Sequence, residues 1–351
     1  MTTTGTATGT STGTSTGTSD ELLRLHGVRK YFGQRGVPWR TTGAVKAVDG
    51  VDFVVRRGET VGLVGESGCG KSTLARLSTR LLDPTEGRVE IGGQDVTRLR
   101  GRRLRPVRRK VQMVFQDPQA SLNPRQSVGT ILTTPFRAQR IRPTRAQLVE
   151  LLQQVGLSEE HLERYPHEFS GGQRQRIGIA RALAVKPELL VCDEPVSALD
   201  VSVQAQVLNL LADLRDELGL SYVLVAHDLA VVRQVADRLA VMYLGTIVEE
   251  GPAAEVYSSP AHPYTRALLS AVPVPEPDAE RDRIVLTGDV PTPVDPPSGC
   301  PFRTRCYQAQ DVCATTRPVL ESVPGAVGDE THRVACYFPE ISSPPLSERT
   351  S

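Results

Sequence analysis

The chain has 351 residues, a length typical of two or three domains, or of one large domain with an extension. It carries 41 Lys and Arg against 40 Asp and Glu, so no overall charge directs it toward nucleic acid or an anionic membrane. No apolar run approaches the ~20 residues of a membrane helix, and the N-terminus shows no basic-then-apolar signal peptide. We therefore expect a cytoplasmic chain whose contact with a membrane comes through a partner.

Composition predicts four segments. Residues 1–20 are almost only Thr, Gly, Ser and Ala, which predicts a disordered tail. Residues 21–275 form the predicted main domain. Residues 276–340 are richer in Pro, Asp and Gly and contain four cysteines, which predicts a C-terminal extension, and residues 341–351 are predicted to be a flexible tail.

Hydrophobic periodicity predicts the elements of the main domain in chain order. They are strands at 22–28, 51–55 and 61–64, a helix at 72–82, strands at 88–91 and 111–115, a mainly helical stretch at 128–170, a helix ending at Leu183, a strand at 189–192, a helix at 201–218, a strand at 221–226 and a hairpin at 239–250. Apolar strands that alternate with helices are typical of a parallel α/β core.

A glycine-rich loop between a strand and a helix is the most specific motif of the chain. Residues 65–73, GESGCGKST, fit the pattern G-x-x-x-x-G-K-[ST]. Glycines let successive backbone N–H groups turn toward an anion, and the helix N-terminus favours negative charge. The pattern predicts a phosphate site in which Lys71 reaches the β- and γ-phosphates and Ser72 binds Mg²⁺. Its members are Gly65, Glu66, Ser67, Gly68, Cys69, Gly70, Lys71, Ser72 and Thr73.

Acidic side chains and a histidine follow two apolar strands further along the chain. Asp193 comes directly after residues 189–192 and is placed to hold the water shell of Mg²⁺. Glu194 is placed to polarise the attacking water as a general base. His227 ends the next strand, where its ring could reach the γ-phosphate. The alternatives are an acidic pair without a role and a structural histidine.

The motifs occur in a fixed order that matches a known family. After the glycine loop come Gln116, FSGGQ at 169–173, LLVCDEP at 189–195, SALD at 197–200, and His227. Over about residues 21–271 this set resembles the nucleotide-binding subunit of an ABC transporter. FQDPQASLNPR at 115–125, HPYTR at 262–266 and GDVPTPVDPPSGCPF at 288–302 are similar to the oligopeptide, dipeptide and nickel importers. This chain is more similar to the second type of their two ATPase subunits, and the resemblance extends to about residue 336.

The resemblance implies the fold and several further site residues. The expected fold is α/β: an ABC-type P-loop NTPase with an antiparallel β-subdomain, a helical subdomain at about 117–180 and a small extension that contains cysteines. Gln116 is expected to contact Mg²⁺ and to sense the permease. The signature is expected to face the γ-phosphate held by a second subunit, with Asp200 crossing the same interface. Its residues are Ser170, Gly171, Gly172 and Gln173.

An aromatic side chain is expected to stack on the adenine of ATP. Phe32, which precedes Gly33, aligns with the family position, and Tyr31 is the alternative. The insert between Gly33 and Lys46, which carries Trp39, lengthens the usual spacing to the phosphate loop.

Four of the six cysteines, Cys300, Cys306, Cys313 and Cys336, lie near the C-terminus. A reducing cytoplasm disfavours disulfides, and four thiolates can hold a metal ion or an iron–sulfur cluster. Their spacing lacks the Cys-x-x-Cys pairs usual in structural zinc sites. The resemblance implies a [4Fe–4S] cluster, since some members of the importer family have one at matching cysteines. A zinc ion and unliganded thiols are the alternatives.

The resemblance implies an ATPase subunit that uses ATP and Mg²⁺ to power import of di- or oligopeptides, bound to the cytoplasmic face of the membrane. Its expected partners are a homologous ATPase subunit, in a heterodimer or a homodimer, two permease subunits and, indirectly, an extracytoplasmic solute-binding protein. Import of nickel, glutathione or sugar is the alternative. A soluble ABC-type ATPase acting on DNA or ribosomes is disfavoured, because the chain has one set of motifs and no heptad run. No nucleic-acid partner is expected, because no aromatic residues interleave the Arg-rich stretch at 98–110.

Overall fold

The computed structural model describes residues 20–33, 43–197, 199–272, 283–324 and 332–340. The predicted tails, apart from Asp20, lie outside the described residues. So do residues 34–42 of the insert, including Trp39, and Ala198 of the SALD motif. In the part of the chain that the structure describes, no helix is long and apolar enough to cross a membrane.

The strands are numbered in chain order. They are β1 (Glu21–Phe32), β2 (Val45–Arg56), β3 (Thr60–Val64), β4 (Glu86–Ile91), β5 (Gln94–Asp95), β6 (Val111–Val114), β7 (Leu189–Asp193), β8 (Ser221–Ala226), β9 (Arg238–Tyr243), β10 (Thr246–Pro252), β11 (Glu321–Ser322) and β12 (Arg333–Val334).

The helices lie between and after these strands. They are α1 (Lys71–Ser78), α2 (Arg105–Lys110), α3 (Pro118–Ser121), α4 (Val128–Ala138), α5 (Arg145–Gln154), α6 (Gly171–Leu183), α7 (Val201–Leu218), α8 (Leu229–Arg233), α9 (Ala253–Ser258), α10 (Pro263–Ser270) and α11 (Asp311–Thr315), with short 3-10 turns at Gly101–Leu104, Glu159–Glu163 and Pro166–Glu168.

The described strands form two sheets. One is antiparallel, with the order β2-β1-β4-β5. The other has the order β11-β12-β10-β9-β3-β8-β7-β6, and its strands β9, β3, β8, β7 and β6 run parallel. The carboxyl ends of parallel strands meet at one edge of a sheet, where α/β proteins bind their ligands. The predicted α/β fold with an antiparallel β-subdomain is confirmed.

Three large apolar clusters hold these layers together. The first joins the antiparallel sheet to the parallel sheet across α1, and the second packs α4, α5, α6 and α7 against the other face of the parallel sheet. The third packs β9 against α10 and the described residues after α10, 283–324 and 332–340, which we call the C-terminal segment. Within this cluster Tyr243, Tyr264 and Phe302 are in mutual ring contact. The C-terminal segment is therefore part of the packed core on the β9 side of the sheet.

The structure corrects one helix boundary. The sequence predicts a helix at 72–82, but α1 ends at Ser78. Arg80 adopts a positive φ of 53° and its buried guanidinium donates hydrogen bonds to the carbonyls of Val96 and Thr97. A left-handed residue ends a helix, because it cannot continue the helical hydrogen-bond ladder. The predicted end of the helix at 201–218 was correct: α7 ends at Leu218 and is followed by Gly219, which has a φ of 65°.

The C-terminal segment also contributes two strands that the sequence analysis missed. β12 pairs antiparallel with β10, and β11 pairs with β12. Each strand has two residues, too few to show the period-2 alternation by which strands are recognised.

Candidate active site

The phosphate loop lies between the buried strand β3 and helix α1, as predicted. Gly65 and Gly70 have φ values of 149° and 111°. A Cβ atom on either would lie 2.1 Å from a backbone carbonyl oxygen, that of Met242 or that of Ala47, so glycine alone fits. Among the described residues no side chain caps α1 at Gly70. The first N–H groups of this helix are thus available to an anion.

Lys71 lies across the inside of this loop and is buried. Its Nζ donates to the carbonyl oxygens of Gly65, at 2.7 Å, and Glu66, at 3.0 Å. Both bonds fix the ammonium group inside the loop, which is the predicted phosphate site.

Two hard oxygen ligands meet beside the loop. The Ser72 hydroxyl donates to Asp193 Oδ1 at 2.8 Å, which joins the start of α1 to the end of β7. Asp193 is buried, and this burial raises the pKa of its carboxyl group above the usual value, although the bond from Ser72 acts in the opposite direction. Hydroxyl and carboxylate oxygens are the ligands that Mg²⁺ prefers. These residues therefore fit a magnesium ion.

Three further predicted residues come together at the same sheet edge. Gln116 Nε2 donates to Glu194 Oε2 at 2.8 Å, and His227 Nδ1 lies 3.5 Å from that oxygen. They follow β6, β7 and β8, neighbouring parallel strands. Glu194 has a φ of 47°, a left-handed conformation that is uncommon for a residue with a side chain. Backbone strain of this kind is typical of functional positions, and it fixes where the carboxylate lies.

The signature residues form a different kind of helix start. Ser170 caps α6 by accepting from Gln173 N–H, and the Gln173 side chain accepts in return from the Ser170 N–H. Ser170 and Gly171 are exposed, whereas Gly172 is buried against Val203. No hydrogen bond or ion pair that the structure describes joins these residues to the phosphate loop. Asp200, at the N-terminus of α7, is also exposed.

The two candidate aromatic residues for adenine stacking differ in how much of their ring surface is free. The Tyr31 hydroxyl donates to the Asp49 carboxylate, and burial together with this bond raises the pKa of Tyr31 to about 12. Phe32 is 39% exposed, and the ammonium group of Lys30 lies 5.2 Å from its ring centroid. Phe32 thus has more free ring surface for stacking than Tyr31.

The sequence analysis missed a group of residues that supports the phosphate loop from the C-terminal side. Arg305 donates to both carboxylate oxygens of Glu66, at 2.7 and 3.0 Å. The Glu66 backbone N–H donates to the Tyr264 hydroxyl at 2.8 Å. Arg305 and Glu66 are 239 residues apart, and no local pattern marks such a pair. Tyr264 lies within the HPYTR motif, which was the available signal.

The four C-terminal cysteines converge but do not form a metal site in this structure. All four are free and line one cavity of about 20 Å³, enough for about one water molecule. Burial raises the pKa of Cys300, Cys306 and Cys336, which disfavours the thiolate form. In the described part of the chain, no group of three or more His, Cys, Asp or Glu residues is arranged to hold a metal ion. The observed arrangement therefore does not fit the iron–sulfur cluster that the resemblance implies.

A large cleft of about 1010 Å³ opens beside Gln116. It runs between the edge of the parallel sheet and the helices α2, α4 and α6. Five arginines contribute to its wall: Arg76, Arg102, Arg105, Arg108 and Arg181. The cleft also reaches Asp193, one of the two candidate magnesium ligands.

Comparison with known proteins agrees with this geometry. Residues 48–197 match the family model of the ABC transporter, and residues 248–313 match that of the oligopeptide/dipeptide transporter C-terminal region. A dimeric structure of an ATP-binding cassette in a post-hydrolysis state, bound to ADP and Pi, superposes with a TM-score of 0.59 at 30% identity, over 66% of this chain and 99% of that one. The chain belongs to the ABC transporter family and is one of its ATPases.

Relatives place the chain more narrowly within this family. The oligopeptide transport ATP-binding protein AppF of Bacillus subtilis is 51% identical over 327 residues, which cover 91% of this chain and 98% of that protein. The oligopeptide transport ATP-binding protein OppF of Salmonella typhimurium is 52% identical over 304 residues, 85% of this chain and 89% of that protein. The similarity thus includes the C-terminal segment as well as the cassette.

Proposed function

We propose that this chain is the ATP-hydrolysing subunit of a peptide importer and works at the cytoplasmic face of the membrane. The observation that carries the proposal is the 51% identity to an oligopeptide transport ATP-binding protein across nearly the full length of both chains. The match of residues 248–313 to the oligopeptide/dipeptide transporter C-terminal region supports it independently of the cassette motifs. Import of nickel, glutathione or sugar remains the alternative within the family.

We assign the chemistry to the residues that meet at the sheet edge. Lys71 and the N–H groups at the start of α1 bind the β- and γ-phosphates, while Ser72 and Asp193 hold Mg²⁺. When bound, Mg²⁺ neutralises charge on the phosphate oxygens. Phe32 is our choice for the residue that stacks on adenine, because its ring is the more exposed of the two.

Glu194 is the proposed general base. Its carboxylate accepts the proton of the attacking water, and the bond from Gln116 orients it. His227 Nδ1 lies 3.5 Å from the same oxygen, and we assign its ring a contact with the γ-phosphate. Because Gln116 also borders the large cleft, a segment bound there can change the orientation of Glu194.

Assembly follows from the exposed signature. We propose that Ser170 to Gln173 and Asp200 contact the ATP held by a second, homologous ATPase subunit, so that two ATP molecules lie between the subunits. A permease segment occupies the cleft beside Gln116, and closure of the ATPase pair then moves the permease. The cleft's volume and its position beside Gln116, which bonds to Glu194, support this assignment.

Reconstitution tests the proposed substrate. The complex with its permeases and solute-binding protein is placed in liposomes, and ATP hydrolysis is measured with short peptides, nickel, glutathione and a sugar. We expect stimulation by peptides alone, and no stimulation in a complex with Glu194→Gln. Stimulation by another solute would refute peptide import but not the transport role. High activity of the isolated chain, with salt-sensitive binding to DNA, would favour the soluble alternative.

The iron–sulfur cluster stays a prediction from the resemblance, supported only by the convergence of four cysteines on one cavity. Holding a cluster would require this cavity to widen. Iron, sulfide and zinc analysis of protein purified without oxygen distinguishes the cluster, a zinc ion and four free thiols.

A further inference from the structure

The phosphate loop of this chain contains a carboxylate, and the C-terminal segment supplies its counter-ion. Glu66 is the residue after Gly65, and its side chain is 25% exposed. Arg305, whose side chain is 8% exposed, binds it through two parallel N–H···O bonds. A bidentate pair of this kind fixes orientation as well as charge. In the described structure no other cation forms an ion pair with Glu66.

An unpaired carboxylate at this position would oppose the binding of ATP. The triphosphate carries several negative charges, and like charges within a partly buried site repel each other more strongly than they do in water. Lys71 donates to the backbone carbonyl of Glu66, and in the described structure it forms no ion pair with the Glu66 carboxylate. Tyr264 accepts the backbone N–H of Glu66 and contributes no charge.

We propose that Arg305 is a positioning residue of the nucleotide site: it neutralises Glu66 and holds its carboxylate away from the phosphates, so that the C-terminal segment sets the affinity of the phosphate loop for ATP. The inference rests on ATP binding by this chain, not on the identity of the transported solute.

The C-terminal segment also contacts the other wall of the nucleotide site. Arg317 donates to the Asp49 carboxylate at 2.8 Å, and Asp49 in turn accepts the hydroxyl of Tyr31, next to the proposed stacking residue. The Lys46 N–H donates to the Pro293 carbonyl at 2.9 Å. One segment therefore touches both the phosphate end and the adenine end of the site. Arg317 is 45% exposed, so we expect its pair to matter less than the buried one.

Nucleotide binding by the full chain tests the proposal. The dissociation constant of ATP with Mg²⁺ is measured by calorimetry for the wild type, Arg305→Ala, Glu66→Gln and the double variant. We expect Arg305→Ala to weaken binding about tenfold, and the double variant to bind ATP more tightly than Arg305→Ala alone, because no unpaired carboxylate is left. Arg303→Ala is the matched control: this arginine bonds within the C-terminal segment, to Ser298, and we expect no change.

A purely structural role for Arg305 predicts different results. If the arginine only anchors the segment, removing Glu66 cannot restore affinity, and the double variant will bind ATP as weakly as Arg305→Ala. Salt is a second readout, because an electrostatic effect shrinks as ionic strength rises. The dissociation constants of the wild type and of Arg305→Ala should therefore converge at high salt. Binding within twofold of the wild type in Arg305→Ala, or a loss that salt and Glu66→Gln leave unchanged, overturns the proposal.

Should Arg305→Ala fail to fold, Arg305→Lys keeps the charge but loses the bidentate geometry. We then expect a smaller loss of affinity that Glu66→Gln again reduces, and an unchanged affinity refutes the proposal. A wild-type chain that binds ATP while its complex ignores peptides would refute only the proposed substrate.

Discussion

We assign phosphate contacts to two helix N-termini of this chain, and different interactions hold each of them in place. The phosphate loop is held by tertiary contacts: Arg305 and Tyr264 bind Glu66, and Gly245 N–H donates to the Cys69 carbonyl. Its helix has no side-chain cap among the described residues. The signature helix α6 is capped by its own Ser170 and Gln173, and its first residues, Ser170 and Gly171, are exposed. This difference agrees with our proposal that the first site binds ATP within the chain and that the second contacts ATP held by a partner subunit.

The largest expected effect separates binding from hydrolysis. Glu194→Gln removes the proposed base while keeping the size of the side chain, and loss of a general base typically costs 10²- to 10⁴-fold in rate. We expect steady-state ATP hydrolysis by the complex to fall by about this much, while the phosphate loop still binds ATP. Near wild-type turnover would show that Glu194 is not the base.

As the pH falls, the structure around the phosphate loop should lose stability before the signature helix does. His262 Nδ1 caps α10 by accepting from the N–H of Tyr264, and burial lowers the pKa of His262 to about 4. Its pKa is about 6.5 in an unfolded chain, so the unfolded state gains the proton first as the pH falls. The contribution of neutral His262 to the free energy of unfolding is therefore complete above about pH 6.5 and is lost toward pH 4. A tenfold change in proton affinity corresponds to about 1.4 kcal/mol, so the loss amounts to roughly 3 kcal/mol.

The check compares wild type with His262→Asn, which can still cap the helix but does not titrate. Between pH 7 and pH 4.5 we expect the wild type to lose stability relative to the variant, with faster hydrogen exchange in the phosphate loop and no change in α6. His167→Asn, an exposed histidine beside the signature, is the matched control. A pH-independent difference between wild type and His262→Asn would contradict the prediction.

A change in the signature should impair hydrolysis but not binding. In Gly172→Ala the new Cβ would lie 2.5 Å from Val203 Cγ1, and the β-branched Val203 has little freedom to move. The displaced helix start should lower hydrolysis by the complex about tenfold, equivalent to roughly 1.4 kcal/mol in the barrier. ATP binding by the isolated chain should not change. Gly178→Ala, in the same helix with no atom within 4 Å of the added Cβ, should leave hydrolysis unaffected.

The smallest effect concerns the cap itself. Ser170→Ala removes the acceptor for Gln173 N–H and should destabilise the first turn of α6 by about 1 kcal/mol. Thr144→Ala removes the equivalent cap of α5 and should destabilise that helix similarly. Hydrogen exchange measures both, and hydrolysis should fall only in Ser170→Ala. Equal hydrolysis in the two variants would mean that the signature cap has no part in catalysis.

The contrast between the two helix starts also explains what could be predicted from sequence. The phosphate loop and the ends of β7 and β8 are local patterns, in which glycines, a lysine and acids follow apolar strands, so their positions and the α/β fold were predicted correctly. The contacts that support this loop were not predicted, because Arg305 and Glu66 are brought together by the tertiary fold and no local sequence pattern marks the pair. For the four C-terminal cysteines the sequence predicted a shared site but not its size, because the spacing of cysteines does not indicate the width of the cavity between them.

The pairing of β12 with β10 affects how the chain behaves while it is being translated. Without β12, the seven-residue strand β10 would be an open edge of the parallel sheet, a template to which other chains can add. During translation the cassette motifs emerge before β12, which lies at residues 333–334. We therefore expect the nascent chain to be prone to aggregation until these residues leave the ribosome, and truncation before residue 333 to reduce the soluble yield.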